Sequence, residues 1–259
     1  MKIADFKLAK NSKKISMVTC YDASFAQAVE NSDVDAVLVG DSVAMVVYGY
    51  EDTVSATLPM IERHTRAVRS KYKGSLVADI PFLTAQKSQT DFINDVCKLM
   101  QAGANAVKVE GVHGLEGKIS SLVHAGVPVM GHVGLTPQFV NTFGGFKVQG
   151  RSSDSEEFIF KQALKLQDLG CFALVLECIP ETLSKKISEE LSITTIGIGA
   201  GLYTDGQILV LQDLIGLSEW SLKFVKKYDQ FGRRTVSALN AFCKDVKSKN
   251  FPQIENTFL

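Results

Sequence analysis

The chain is expected to fold as a single-domain (β/α)8 TIM barrel of the α/β class. Two observations predict it. Eight short, nearly continuous apolar runs are spread along 259 residues, the composition of strands buried on both faces of a parallel sheet. Amphipathic segments lie between most of them, and strand–helix alternation over roughly 250 residues suits a closed barrel. A third observation excludes the main rival. A doubly wound dinucleotide fold wants GxGxxG after its first strand; the nearest match, GIGAG at 197–201, has the wrong spacing and lies late in the chain.

The elements follow in order. ISMVTCY (15–21) is the first strand, and Asp22 behind it suits a helix cap or turn. AVLVGD (36–41) is the second. PMIERHTRAVRSKY (59–72) has the i, i+3, i+4 apolar spacing of a helix and leads into SLVADIP (75–81). TDFINDVCKLMQAG (90–103) is helical and closes on Gly103, placed as a left-handed C′ residue before the strand AVKVEG (106–111). VPVMGHVG (127–134) is the fifth strand. The segment 134–151 after it is glycine-rich and long for a structureless connection, the mark of a binding loop or lid. EEFIFKQALKLQDLG (156–170) is a helix ending on Gly170, followed by the strand ALVLEC (173–178). ETLSKKISEEL (181–191) begins a helix at Glu181, directly after Pro180. TTIGIGAG (194–201) and GQILVLQD (206–213) complete the barrel, with Asp205 as a cap or turn residue between them. The end of the chain reads as helical, with WSLKFVKKY near 220–228 and TVSALNAFCKDVKS near 235–248. No linker, repeat or low-complexity stretch divides the sequence. The expectation is one domain over 1–259, with a C-terminal helical segment from about 217.

Lys+Arg and Asp+Glu both number 28, so there is no basic footprint for nucleic acid, and a small-molecule partner is expected. Cys20, Cys97, Cys171, Cys178 and Cys243 form no CxxC pair and read as buried thiols of a reducing compartment. The N-terminus MKIADFKLAKNSKK has no apolar h-region, and no run approaches the roughly 20 apolar residues of a membrane span. A cytoplasmic location is the expectation.

Acids mark the strand ends. Asp41, Asp79, Glu110 and Glu177 lie at the C-terminal ends of strands 2, 3, 4 and 6, the end where a (β/α)8 barrel carries its active site. Four converging carboxylates repel, and a cation compensates them. Their hard oxygens favour Mg²⁺ over zinc. Lys108, two residues before Glu110, shares its face of the strand and offers a fixed positive charge for a substrate carboxylate or oxyanion. His132 holds the matching position on strand 5, either as a functional group or as a core histidine. For each single acid the alternative is a helix N-cap. Ser42 is placed to cap the next segment or to offer its amide to a ligand. His113 and His124 read as surface residues.

Eight segments together resemble a known family: VTCYDASFA (18–26), VGDS (39–42), LVADIPF (76–82), AGANAVKVEG (102–111), VMGHVGLTPQ (129–138), FGGFKVQGR (143–151), LVLECIP (174–180) and IGIGAG–TDGQILV (196–210). In order and content they resemble ketopantoate hydroxymethyltransferases. The resemblance implies a homo-oligomer, commonly a decamer, that binds Mg²⁺. It also implies hydroxymethyl transfer from 5,10-methylenetetrahydrofolate to 3-methyl-2-oxobutanoate in pantothenate biosynthesis. By matching positions, it makes Asp41, Asp79 and Glu110 the metal site. It adds Asp41, Ser42, Asp79 and Lys108 as substrate contacts and Glu177 as the general base. Two alternatives stand beside it: a Mg²⁺-dependent lyase of the phosphoenolpyruvate mutase and isocitrate lyase type, and a barrel that only binds a small 2-oxo acid. Such lyases typically carry a reactive cysteine in a glycine-rich loop, and 134–151 has none.

Overall fold

The computed structural model describes residues 1–219 and 222–258. Two compact units are present, Met1–Val210 and Leu211–Leu259. In the first, eight parallel strands close in chain order: β1 (Ile15–Thr19), β2 (Ala36–Val39), β3 (Ser75–Asp79), β4 (Ala106–Glu110), β5 (Val129–Gly134), β6 (Ala173–Glu177), β7 (Thr194–Ile198) and β8 (Gly206–Leu209). The helices of this unit are α1 (Asp5–Ala9), α2 (Ala23–Glu30), α3 (Val43–Val46), α4 (Leu58–Arg69), α5 (Gln89–Gln101), α6 (Glu116–His124), α7 (Val140–Phe143), α8 (Ser153–Asp168) and α9 (Glu181–Glu190). The second unit holds α10 (Leu211–Leu214) and α11 (Phe231–Lys247).

Helix boundaries follow local chemistry. Asp22 caps α2 by accepting from the Phe25 amide at 2.8 Å, and Thr57, Ser88 and Ser152 accept in the same way at the starts of α4, α5 and α8. Gly103 and Gly170 take left-handed φ of 108° and 89° just past α5 and α8, as their sequence positions require. Most strands stop short of their apolar runs. The run expected to end at 213 pairs only through Leu209; beyond it the backbone turns into α10.

Four expectations are corrected. Residues 222–228 are irregular backbone with a short turn at 223–224, not helix, while Trp220 and Ser221 lie outside the described residues. There the Lys227 ammonium donates to the carbonyls of Ser218 and Glu219, and the Tyr228 amide to that of Leu214, closing a turn where a helix ladder would run. Asp205 is more than a turn residue. It is buried, paired with Lys10 at 2.9 Å, and accepts from the Thr195 amide and hydroxyl. The 134–151 connection is partly helical, with a 3₁₀ turn at Pro137–Phe139 running into α7. Cys97 and Cys243 are exposed, not buried, although all five thiols are free.

Strand alternation sorts the barrel interior. Ile15, Met17, Ala36, Leu38, Val77, Ala106, Met130, Ala173, Val175, Ile196 and Ile208 share one buried cluster. Continuing by twos along β3 to β6 leads to Asp79, Lys108, Glu110, His132 and Glu177. The apolar layers therefore form the floor beneath a polar layer at the C-terminal end. Helix α1 plugs the floor with Phe6, fully buried and edge-on to Phe172 at 5.2 Å, while the Thr194 hydroxyl donates to the Phe6 carbonyl at 2.6 Å. Phe6→Ala is expected to destabilise the fold by about 3–5 kcal/mol, the usual cost of emptying a buried phenylalanine site. A lower urea midpoint with an unchanged slope checks it; an unmoved midpoint contradicts the plug.

Candidate active site

Neighbouring strands bring the polar layer into register: Asp79 lies opposite Lys108, Glu110 opposite His132, and Gly134 opposite Glu177. Asp41 arrives differently. β2 ends at Val39, and the turn through Gly40 swings Asp41 inward until its amide donates to Asp79 Oδ2 at 3.2 Å. Oxygens of Asp41, Asp79 and Glu110 lie within 4.8 Å of one another, and all three residues are buried. None of the three caps a helix through its side chain. The fourth acid stands apart. His132 separates Glu177 from the cluster, with Nδ1 3.3 Å from Glu110 Oε1 and Nε2 3.3 Å from Glu177 Oε2. Glu177 is also the most open of these acids, its side chain 16% exposed against 1% for Asp79 and Glu110.

Lys108 sits among the acids. Its ammonium is 2.7 Å from Asp79 Oδ1 and 3.2 Å from Glu110 Oε1. The contact to Asp79 is a close ion pair, and Asp79 Oδ1 has no aligned hydrogen-bond donor. Burial, then the charges of Asp79 and Glu110, raises the Asp41 carboxyl well above its ordinary range. Burial also raises Asp79, against the pull of Lys108. For Glu110 burial pushes upward, but Lys108 and His132 outweigh it and hold the group at about 2. Burial lowers Lys108, but Asp79, Glu110 and Asp41 win and raise it.

These residues can hold a divalent cation. Ionised, three carboxylates and one ammonium leave two negative charges, which a divalent ion cancels. The donors are all hard oxygens, and Asp79 Oδ1 is a buried acceptor with no aligned donor. Burial of an uncompensated dianion is strongly unfavourable, which is the physical case for a bound metal.

Two residues at the site are not singled out by the sequence reading, although both lie within the segments VTCYDASFA and VMGHVGLTPQ that carry the family resemblance. Gln138 donates from Nε2 to Asp41 Oδ2 at 3.0 Å and to the Ile80 carbonyl at 2.9 Å, and from its backbone amide to Glu110 Oε2 at 3.0 Å. Its side-chain partners lie 97 and 58 positions away, so no spacing rule finds them. Tyr21 is buried and shares a 2.6 Å hydrogen bond with the Ser42 hydroxyl. Ser42 therefore does not cap α3 through its side chain. Its hydroxyl stands beside Asp41, tied to a phenol whose pKa burial raises.

His132 generates a pH dependence for the metal-free protein. Burial and the Lys108 charge lower its pKa, but the Glu110 and Glu177 carboxylates outweigh both and lift it from 6.5 to about 9. The folded value lies above the unfolded one. Its stabilising contribution is therefore complete below 6.5 and is lost as pH rises through about 9. The imidazole followed by NMR should titrate near 9 and shift lower in Glu177→Gln; titration near 6.5 in the wild type would contradict the ion-pair geometry.

The chain is similar to known proteins along nearly its whole length. The family model described as ketopantoate hydroxymethyltransferase matches residues 1–254. A 3-methyl-2-oxobutanoate hydroxymethyltransferase of Legionella pneumophila (strain Lens) is 50% identical over 262 aligned positions, covering 100% of both chains. One from Francisella tularensis subsp. tularensis (strain FSC 198) is 45% identical over 258, covering 99% of this chain and 98% of that one. Among solved structures, phosphonopyruvate hydrolase with oxalate and Mg²⁺ superposes with a TM-score of 0.64 at 12% identity, covering 99% of this chain and 93% of its own. A 2,3-dimethylmalate lyase of the PEP mutase/isocitrate lyase superfamily gives 0.61 at 13%, covering 99% and 91%. At such identities these two share the fold. The full-length match and the close relatives settle the family: this chain belongs to the ketopantoate hydroxymethyltransferases.

Proposed function

We infer that the chain transfers a hydroxymethyl group from 5,10-methylenetetrahydrofolate to 3-methyl-2-oxobutanoate, giving 2-dehydropantoate for pantothenate biosynthesis. One observation carries the reading. In a chain that matches this family over residues 1–254, three buried carboxylates meet at the C-terminal ends of the strands, and a fourth, more open one stands across an imidazole. Asp41, Asp79 and Glu110 hold the metal, and Mg²⁺ is the ion their oxygens suit best. Held there, Mg²⁺ supplies Lewis-acid polarisation of the substrate's keto group.

The remaining steps belong to protein side chains. Lys108, a fixed positive charge among these acids, would face the oxo acid's carboxylate. Asp41, Ser42 and Asp79 complete the substrate contacts along the same edge. The C3 proton passes to Glu177, the acid open to the mouth. The electron pair left on C3 attacks the donor's methylene carbon as one of its two C–N bonds breaks, and the released nitrogen takes the proton held by Glu177. Water then displaces the second folate nitrogen, its hydroxyl staying on the product carbon and its other proton going to that nitrogen, so that tetrahydrofolate leaves. His132, with Nε2 3.3 Å from Glu177, sets a charge beside that carboxylate. We further read the enzyme as a cytoplasmic homo-oligomer, the family's decamer. Supporting this, no described helix is long and apolar enough to cross a membrane, and α11 leaves Val236, Leu239 and Phe242 exposed.

Lys108→Ala removes a charge-assisted contact of about 1.5–3 kcal/mol, so calorimetry should show oxo-acid binding weakened roughly tenfold or more. An unchanged dissociation constant would remove Lys108 from the substrate site.

Proton abstraction can be read without the folate donor. With Mg²⁺ and the oxo acid alone, the wild type should exchange the C3 proton with solvent deuterium, and chelation should stop it. Glu177→Gln should keep metal and substrate binding yet lose exchange by about 10²–10⁴-fold, the contribution of a positioned base. Wild-type exchange in that variant would pass the role of base to another group, His132 first.

A further inference from the structure

We propose that Gln138 is a positioning residue that latches the connection between β5 and α8 onto the carboxylate cluster, so that metal affinity and the order of that connection are set together. The proposal rests on the metal reading above and extends it to a segment with no part in the reaction as written.

Gln138 is buried and spends all its donors on the site. Both hydrogens of its amide are used, one on Asp41 Oδ2 and one on the Ile80 carbonyl, and its backbone N–H holds Glu110 Oε2. Glu110 Oε1 is held from the other side by Lys108 and His132. Two of the three acids are thus fixed in rotation by one residue. A neutral amide suits this task. A glutamate would add a fourth negative charge, and a lysine would neutralise the charge that attracts the cation.

The same residue ties down the chain that carries it. The connection is pinned at its root, where the Leu135 amide donates to the Glu177 carbonyl at 2.8 Å, and near its end, where the Gln149 amide donates to the Cys178 carbonyl at 2.9 Å. Gly134 permits the first pin: its φ is +98°, and a Cβ there would lie 2.3 Å from the Glu177 carbonyl oxygen. Between the pins, Val140 is the only buried residue of 139–148, while Phe139, Phe146 and Val148 are 40%, 48% and 41% exposed. So little packing leaves Gln138 as the main tie, and that tie is made to two proposed metal ligands. A cation that draws Asp41 and Glu110 together reaches the segment through Gln138.

The test combines Mg²⁺ calorimetry with hydrogen–deuterium exchange of peptides covering 139–148, for the wild type, Gln138→Met and Gln138→Asn. Methionine keeps the volume without the amide; asparagine keeps the amide without the reach. Mg²⁺ should slow exchange of the segment in the wild type. Both variants should bind Mg²⁺ about 10–100-fold more weakly, as expected when a ligand-orienting partner is lost. At saturating Mg²⁺ neither should show the slowing. If the wild type binds no Mg²⁺, the metal reading fails and the latch falls with it. If Gln138→Met binds Mg²⁺ at wild-type strength, or its segment still responds to the ion, the latch alone is overturned. Should neither variant fold, the wild-type measurement still decides: a segment indifferent to Mg²⁺ overturns the proposal.

Discussion

The mutual repulsion of Asp41, Asp79 and Glu110 is the constraint around which this structure is arranged. Three carboxylates with oxygens inside 4.8 Å, all buried, cannot remain ionised without compensation. Lys108 supplies one positive charge and His132 a second, but His132 is also engaged by Glu177. The acid farthest from these cations in its interactions, Asp41, shows the consequence in a carboxyl whose pKa burial and its neighbours raise. A divalent ion would relieve this repulsion without adding bulk, and the floor of aliphatic side chains beneath the acids limits screening of their field.

Strand geometry makes such a cluster possible. Parallel strands in a closed barrel place every second residue inside, so a run such as AVKVE delivers Ala106, Lys108 and Glu110 to the interior at rising heights. Across β3, β4 and β5 the register sets an acid beside a lysine and an acid beside a histidine. Opposite charges thereby become neighbours through backbone pairing alone, before any side chain chooses a rotamer. α1 closes the other end with Phe6, which keeps water from reaching the charges through the floor.

How much of this was legible in the sequence follows from which contacts are local. The eight strands and the long helices announce themselves by apolar period, and Gly103 and Gly170 by the backbone they allow. Lys108 and Glu110 were placed on one face by a spacing of two. The convergence of acids was legible because the barrel sends all strand ends to one place. Position within that cluster was not. By spacing alone Glu177 looks equivalent to the other acids, and only the family resemblance implies a separate role for it; in the structure the imidazole of His132 stands between it and them. Gln138, Tyr21 and the Asp205–Lys10 pair were out of reach for the same reason: their partners are set by tertiary structure, and Lys10 lies 195 positions from Asp205. The 222–228 segment misled because its hydrophobic spacing suits a helix, while its amide and ammonium groups find nearer carbonyls in turns.

The separation of Glu177 has a chemical logic. A carboxylate bound to a divalent cation is a poor base, because the ion stabilises its deprotonated form and each proton it accepts weakens the metal site. In the proposed reaction the acids that hold the metal and the acid that takes the proton therefore need different surroundings. His132 provides the division. One nitrogen lies 3.3 Å from Glu110 and the other 3.3 Å from Glu177, so the proposed base would stand beside the proposed metal site without belonging to it. The fold by itself does not say what the site does, since it is shared with a phosphonopyruvate hydrolase, a putative phosphonomutase and a 2,3-dimethylmalate lyase at 11–13% identity. What the site does depends on where four carboxylates, one lysine and one histidine stand at the rim.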